Sequence, residues 1–258
     1  MFKTIRKAWS KAKEKVYEVT KTVVTKAQSW AERACEHLEN TTSSSPAVGL
    51  AGTIAKKTAE GLGNLRERLD KAIYGEQIRR GKEKVGIEPV DLTTAENIAD
   101  CIKREFPGQD RSKIQKELAA MTRDQRIAKM EEIAQKIATA MQVNPTVKIQ
   151  PLPAGYRGAY RETENTIYIN AVLLEDEFSE RAIDSIDTII HELNHARQWA
   201  AIEGKDMGYS KGRIRQYTKN WLWYFSGCDE RYWKQPIEAD SQRMVALTWE
   251  ALGRRYEE

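Results

Sequence analysis

Residues 179–202 read SERAIDSIDTIIHELNHARQWAAI, and the rest of the chain is understood from this stretch outward. Its apolar positions Ile183, Ile186, Ile190, Leu193 and Trp199 recur with a helical period, which predicts a long buried helix. On that helix His191 and His195 are separated by one turn, and Glu192 follows the first of them directly. Residues i and i+4 share a face, so both imidazoles reach one metal ion. Zinc suits two neutral nitrogens and a carboxylate while leaving a position for water, and Glu192 stands next on the helix to take a proton from that water. The chain contains 3 histidines, and two of them fall in this arrangement, which argues against histidines merely scattered through core or surface. His37, on an amphipathic segment near the N-terminus, reads as an ordinary surface histidine.

Two histidines alone do not make a tight site. The longer zinc pattern HExxHxxGxxH is excluded, because Gln198 and Ala201 stand where it needs glycine and histidine. No histidine follows His195, so the third ligand is an acid among Glu203, Asp206, Asp229, Glu230, Glu238 and Asp240. Glu238 is the favoured one: QPIEADSQRM places it in the first turn of a helix opened by Pro236 and running to about Tyr256, a rigid position for a ligand. Asp240 is the first alternate, and a carboxylate favoured simply by the helix N-terminus also accounts for Glu238.

Upstream of the metal helix the character is β. VKIQPL is a short alternation, PAGYRG a turn, and AYRETENTIYIN a hairpin bending near Glu164-Asn165 with Thr166 to Ile169 as a strand. Downstream, Tyr217 to Trp233 holds Trp221, Trp223, Tyr224, Phe225, Tyr232 and Trp233, which reads either as packing between the two ligand helices or as a substrate or partner surface.

The first 140 residues or so are expected to be mostly helix. From Phe2 through Ile5, Trp9, Ala12, Val16, Val19, Val23, Ala27, Trp30 and Ala34 to Leu38, apolar residues form one stripe on a lysine-rich helix. That stripe suits packing on the rest of the protein, a coiled coil, or an anionic membrane or acidic partner. NTTSSSP over 40–46 reads as a linker, and the small-residue stretch after it, with Gly49, Gly52, Gly61 and Gly63, as a loosely packed helix. The resulting class is α+β: a basic amphipathic helix at 1–40, a helical, glycine-containing accessory or linker region at 41–129, and a compact domain with a small sheet and the metal helix at 130–258.

Composition narrows the function classes. Residues 1–28 carry eight Lys/Arg against two Glu, a net of +6, whereas 121–258 carry 19 basic against 21 acidic residues. The half with the motif therefore lacks the basic footprint of a nucleic-acid enzyme, and no nucleic-acid partner is expected. Cys35, Cys101 and Cys228 lie far apart, which supports neither a disulfide framework nor a cysteine metal site. No apolar run approaches the roughly 20 residues needed to span a bilayer, and lysines interrupt any signal-peptide core. The expected location is cytoplasmic, or outside the cell after export by a dedicated secretion system.

HELNH on a helix, preceded by NTIYIN and followed by a helix bearing PIEAD, resembles the glutamate-zincin (gluzincin) metallopeptidases, particularly the compact zincin domains of bacterial polymorphic toxins and effectors. The likeness covers roughly residues 130–258. It implies a zinc-dependent endopeptidase acting on a protein substrate, with one Zn(2+) ion held by His191, His195 and Glu238 and Glu192 as the general base. The family's ExxxD element, in which the aspartate steadies a zinc-bound histidine, reads here Glu238 to Gln242, so Gln242, or Asp187 one turn before His191, is expected in that role. The resemblance also implies that Thr166, Ile167, Tyr168, Ile169 and Asn170 form the edge strand that accepts substrate by backbone pairing, which as a pattern alone is equally ordinary sheet. An oxyanion donor is expected from Tyr232, Tyr217 or Tyr224. HELNHARQW also resembles the SprT-like DNA-associated proteases, and a non-enzymatic membrane- or partner-binding protein with a structural zinc is the third class. In each, residues 1–40 offer a surface for a membrane or for a delivery or inhibitory partner.

Overall fold

Asn165 takes a left-handed backbone conformation, φ 43°, and this reverses the chain between β2 (Gly158–Arg161) and β3 (Thr166–Asn170). Asparagine tolerates that region better than most residues, and its amide donates to the Asn144 carbonyl at 3.2 Å, tying the bend to the segment just before the first strand. β1 (Thr146–Gln150) runs parallel to β3 and β2 antiparallel to it, giving the order β1-β3-β2. The computed structural model describes residues 2–39, 46–227 and 230–254. Residues 40–45 of the linker expected over 40–46, Cys228, the candidate ligand Asp229 and the end of the last helix at Tyr256 lie outside the described residues, and Pro46 opens a helix.

β3 is thus the central strand, which corrects the expectation that Thr166, Ile167, Tyr168, Ile169 and Asn170 form an edge. Both of its hydrogen-bonding sides are occupied, with Ile167 opposite Val147 on one side and Tyr160 on the other. All five residues are buried. Ile167 and Ile169 enter the core on one face, and on the other the cations of Lys148 and Arg161 lie over the Tyr168 ring, so the strand is covered on both. β1 and β2 each leave one side unpaired in this sheet, and β2 is the one whose Tyr160 N–H meets Glu192 of the helix that carries HELNH.

The chain divides into two units, the first comprising residues 1–84 and 225–234. In it α1 (Phe2–Glu39) and α2 (Pro46–Arg79) form an antiparallel hairpin, as the pairs Glu14 with Arg80, Lys21 with Asp70 and Gln28 beside Gly63 show. The glycines do not interrupt α2, because α1 packs along it. Phe225 lies on Gly75, where an added Cβ would sit 2.8 Å from the ring, and α8 (Glu230–Lys234) ends this unit.

The second unit holds residues 85–224 and 235–258. Its helices are α3 (Pro89–Glu105), α4 (Arg111–Ala120), α5 (Arg123–Ala140), α6 (Ile183–Ile202), α7 (Lys211–Leu222) and α9 (Pro236–Arg254). A capping box between Glu88 and Asp91 starts α3, and Asp110 and Thr122 cap α4 and α5. The expected boundary at 129/130 does not separate these helices from the sheet. Ile98, Ile102, Ile114 and Leu118 share one core with Ile133, Ile167, Ile169, Ile186, Ile190 and Leu193, so α3 and α4 are part of the body that carries α6.

Candidate metal centre

α6 is buried over most of its circumference, as expected for a helix passing through a core rather than lying on it. Ile186, Ile189, Ile190 and Leu193 enter the main core, while His191 and His195 emerge toward the first turn of α9. That turn is held in place by side chains from two other helices. Asn220 of α7 accepts from the Ile237 amide at 3.0 Å and donates to Gln235, and Gln198 of α6 donates to the Ile237 carbonyl at 3.1 Å. Glu238, buried, is thereby delivered to the two histidines.

The three side chains converge closely. His191 Nε2 and His195 Nε2 are 3.1 Å apart, His191 Nε2 and Glu238 Oε2 3.2 Å, and His195 Nε2 and Glu238 Oε1 3.4 Å. Ligand atoms about 2.05 Å from a tetrahedral ion stand about 3.3 Å from one another, so these donors already have the spacing of three corners of such a site. Among the described residues this is the group of histidine, cysteine and acidic side chains able to hold a metal. Of the other candidate ligands, Glu203 and Asp206 are exposed, Glu230 is in the first unit paired with Lys234, and Asp240 is engaged elsewhere.

The electrostatics suit a cation. Burial pushes the Glu238 carboxyl up, but the two imidazoles outweigh it and hold the group well below the usual carboxylate range. For His195 desolvation favours the neutral ring, yet Glu238 first, then Glu192 and Gln198, raise its pKa to about 9. Two carboxylates facing two imidazoles in this way favour a cation at their centre.

Glu192 is buried beside this group. Burial raises its pKa against the lowering pull of the two histidines, and the Tyr160 backbone N–H donates to it. Gly158 makes this approach of β2 feasible: a Cβ there would lie 2.6 Å from Thr188 Cγ2 and 2.9 Å from Glu192 Cγ. Trp221 of α7 meets His195 edge to face at 6.5 Å and packs on Trp199 at 5.0 Å. Of the aromatic block, Trp221 thus borders the histidines, while Phe225 belongs to the first unit.

Several expected supporting roles are filled by other residues. Gln242 is exposed on α9, because the face of that helix turned to α6 and α7 carries Ile237, Glu238, Asp240, Ser241 and Met244, and position 242 lies beyond that arc. Asp187 points to the other side of α6, accepting from Trp249 Nε1 at 2.7 Å and from Arg111. The histidine partner is Gln198, whose Oε1 is 2.9 Å from His195 Nδ1. Its Nε2 faces two acceptors, the Ile237 carbonyl and Asp240 Oδ2 at 3.0 Å, so the amide oxygen is the atom that meets the ring. The network therefore places a proton on Nδ1 and turns Nε2 toward Glu238 and His191. The only cue in the sequence is that Gln198 follows His195 by three positions on the same helix.

Among the tyrosines, Tyr224 donates to Glu238 Oε1 at 2.7 Å and so reaches the triad. Tyr217 is buried and donates to Asp240 at 2.6 Å, which commits its hydroxyl to a structural bond. Tyr232 lies on α8 of the first unit, against Trp233. No protein-family model, curated protein or solved structure matches the chain.

Proposed function

We propose that this chain is a zinc-dependent endopeptidase that hydrolyses a protein substrate, with His191, His195 and Glu238 as metal ligands and Glu192 as general base. The observation that carries the reading is the set of three donors at tetrahedral spacing, His195 and Glu238 buried and His191 partly so, with a second, non-ligating carboxylate beside them. Zinc, when bound, supplies the Lewis acidity that activates water and polarises the scissile carbonyl. Glu192 accepts the proton of the attacking water and passes it to the leaving nitrogen, and its burial keeps it basic enough to do so. The Tyr224 hydroxyl, already directed at the triad, is the donor best placed for the developing oxyanion. The unpaired side of β2, not β3, borders Glu192 and is the edge along which an extended substrate is expected to pair.

The test combines metal analysis with detection of new protein termini in a lysate incubated with the purified chain, with and without a chelator. About one zinc per chain and a discrete set of chelator-sensitive termini are expected; iron in place of zinc, or no new termini from zinc-loaded protein, overturns the reading. Glu238→Ala is expected to weaken zinc binding by more than about 100-fold, beyond the 10–100-fold typical of losing a supporting residue. Gln198→Leu, which removes the acceptor for His195 Nδ1, is expected to weaken it by about 10–100-fold without loss of helical content. Chelator competition measures both, and a Gln198→Leu affinity equal to wild type would remove Gln198 from the site.

A further inference from the structure

In the α1–α2 hairpin, the face of α1 turned to α2 is partly polar. Glu14, Val24 and Ala31 are buried there, Lys21 pairs with Asp70, and Glu14 pairs with Arg80 and Lys82. The part of the apolar stripe from Val16 to Trp30 is on a different face. Val16, Val19, Val23 and Trp30 are 60%, 58%, 60% and 68% exposed. At about 100° per residue these four fall within an arc of about 60°, a line of side chains running about 21 Å along the helix. Leu50, Ile54 and Leu65 of α2 are exposed as well. Scattered exposed apolar residues need no explanation, but an aligned row does.

The charges around the row are sorted. Lys15, Lys26 and Arg33 are exposed and lie within about 70° of its midline, whereas Glu14, Glu18, Glu32 and Glu36 all lie about 130° or more away. Residues 1–28 carry a net charge of +6. A second copy of the chain docked stripe to stripe would press these cation rows together. An occupant must be apolar along a line and anionic beside it. No described helix is long and apolar enough to cross a membrane.

We propose that the α1–α2 hairpin lies on an anionic lipid surface, with Val16, Val19, Val23 and Trp30 inserted at the acyl boundary and Lys15, Lys26 and Arg33 at the headgroups. This concerns the first unit alone and stands whether or not the metal site is a peptidase centre.

The test is cosedimentation of the full chain with vesicles of phosphatidylcholine alone or with 30 mol% phosphatidylserine. Binding to the anionic vesicles only, weakened by salt, is expected. Val19→Glu with Val23→Glu should abolish it, and Lys15→Glu, Lys26→Glu and Arg33→Glu together should lower it at least tenfold, with unchanged helical content because all five positions are exposed. Absence of binding, equal binding to both vesicle types, or binding unaffected by Val19→Glu with Val23→Glu overturns the proposal. A soluble dimer that this double substitution converts to monomer, without vesicle binding by wild type, identifies a second copy as the occupant and overturns it equally.

Discussion

Glu192→Gln is expected to retain zinc at the wild-type level and to lose cleavage of the chain's substrate by about 10²–10⁴-fold, the usual contribution of a positioned proton acceptor. The substitution is nearly isosteric. The glutamine oxygen can still accept the Tyr160 N–H, and the space left by Gly158 is unchanged, so β2 and α6 keep their separation. What is lost is the ability to take a proton. The three donors at 3.1–3.4 Å are untouched, which is why metal content and activity should separate. The measurement is zinc stoichiometry alongside the rate of appearance of the new termini. Equal cleavage by the variant would remove Glu192 from the mechanism, and loss of zinc together with activity would make it a structural residue.

The second large effect is on stability. Arg213 is buried between Asp91 at 3.1 Å and Asp240 at 3.1 Å, donates to Tyr217 and Gly86, and lies over the Tyr209 ring. Arg213→Met keeps the aliphatic volume and removes the charge, leaving two buried carboxylates uncompensated. Breaking a buried pair in this way costs about 3–5 kcal/mol, a large share of the roughly 5–15 kcal/mol that holds a typical domain together. Urea denaturation should therefore find the variant destabilised by that amount, and a change below about 1 kcal/mol would show that the carboxylates are solvated or protonated without cost. The same substitution reaches the metal site, because Asp240 also accepts from Gln198 and Asn194. A weaker zinc affinity in folded Arg213→Met is the accompanying expectation.

This brace explains why part of the site was legible in the sequence and part was not. His191, Glu192 and His195 are neighbours on a single helix, so their mutual placement follows from 3.6 residues per turn and nothing else. Glu238 was within reach because Pro236 marks a helix start and no later histidine competes. Gln198 and Asp240 draw their roles from contacts 42 residues apart in the chain, and a pattern that names an aspartate four places after the ligand pointed instead to Gln242. Arg213, Asp91 and Asp240 come from three helices, and no local spacing announces them.

Local periodicity, set by the covalent geometry of one segment, sufficed for the helix that carries the two histidines, the hairpin bend at Asn165 and the amphipathic character of α1. What depended on neighbours distant in sequence was decided by packing alone. β3 became the inner strand because β1 and β2 took both its sides, and α1 turned a charged face to α2 because the ion pairs of Glu14 and Lys21 are made there. The histidine pair at 191 and 195 was written in the sequence; the buried amide and ionic brace that aim it exist only once α6, α7 and α9 have met.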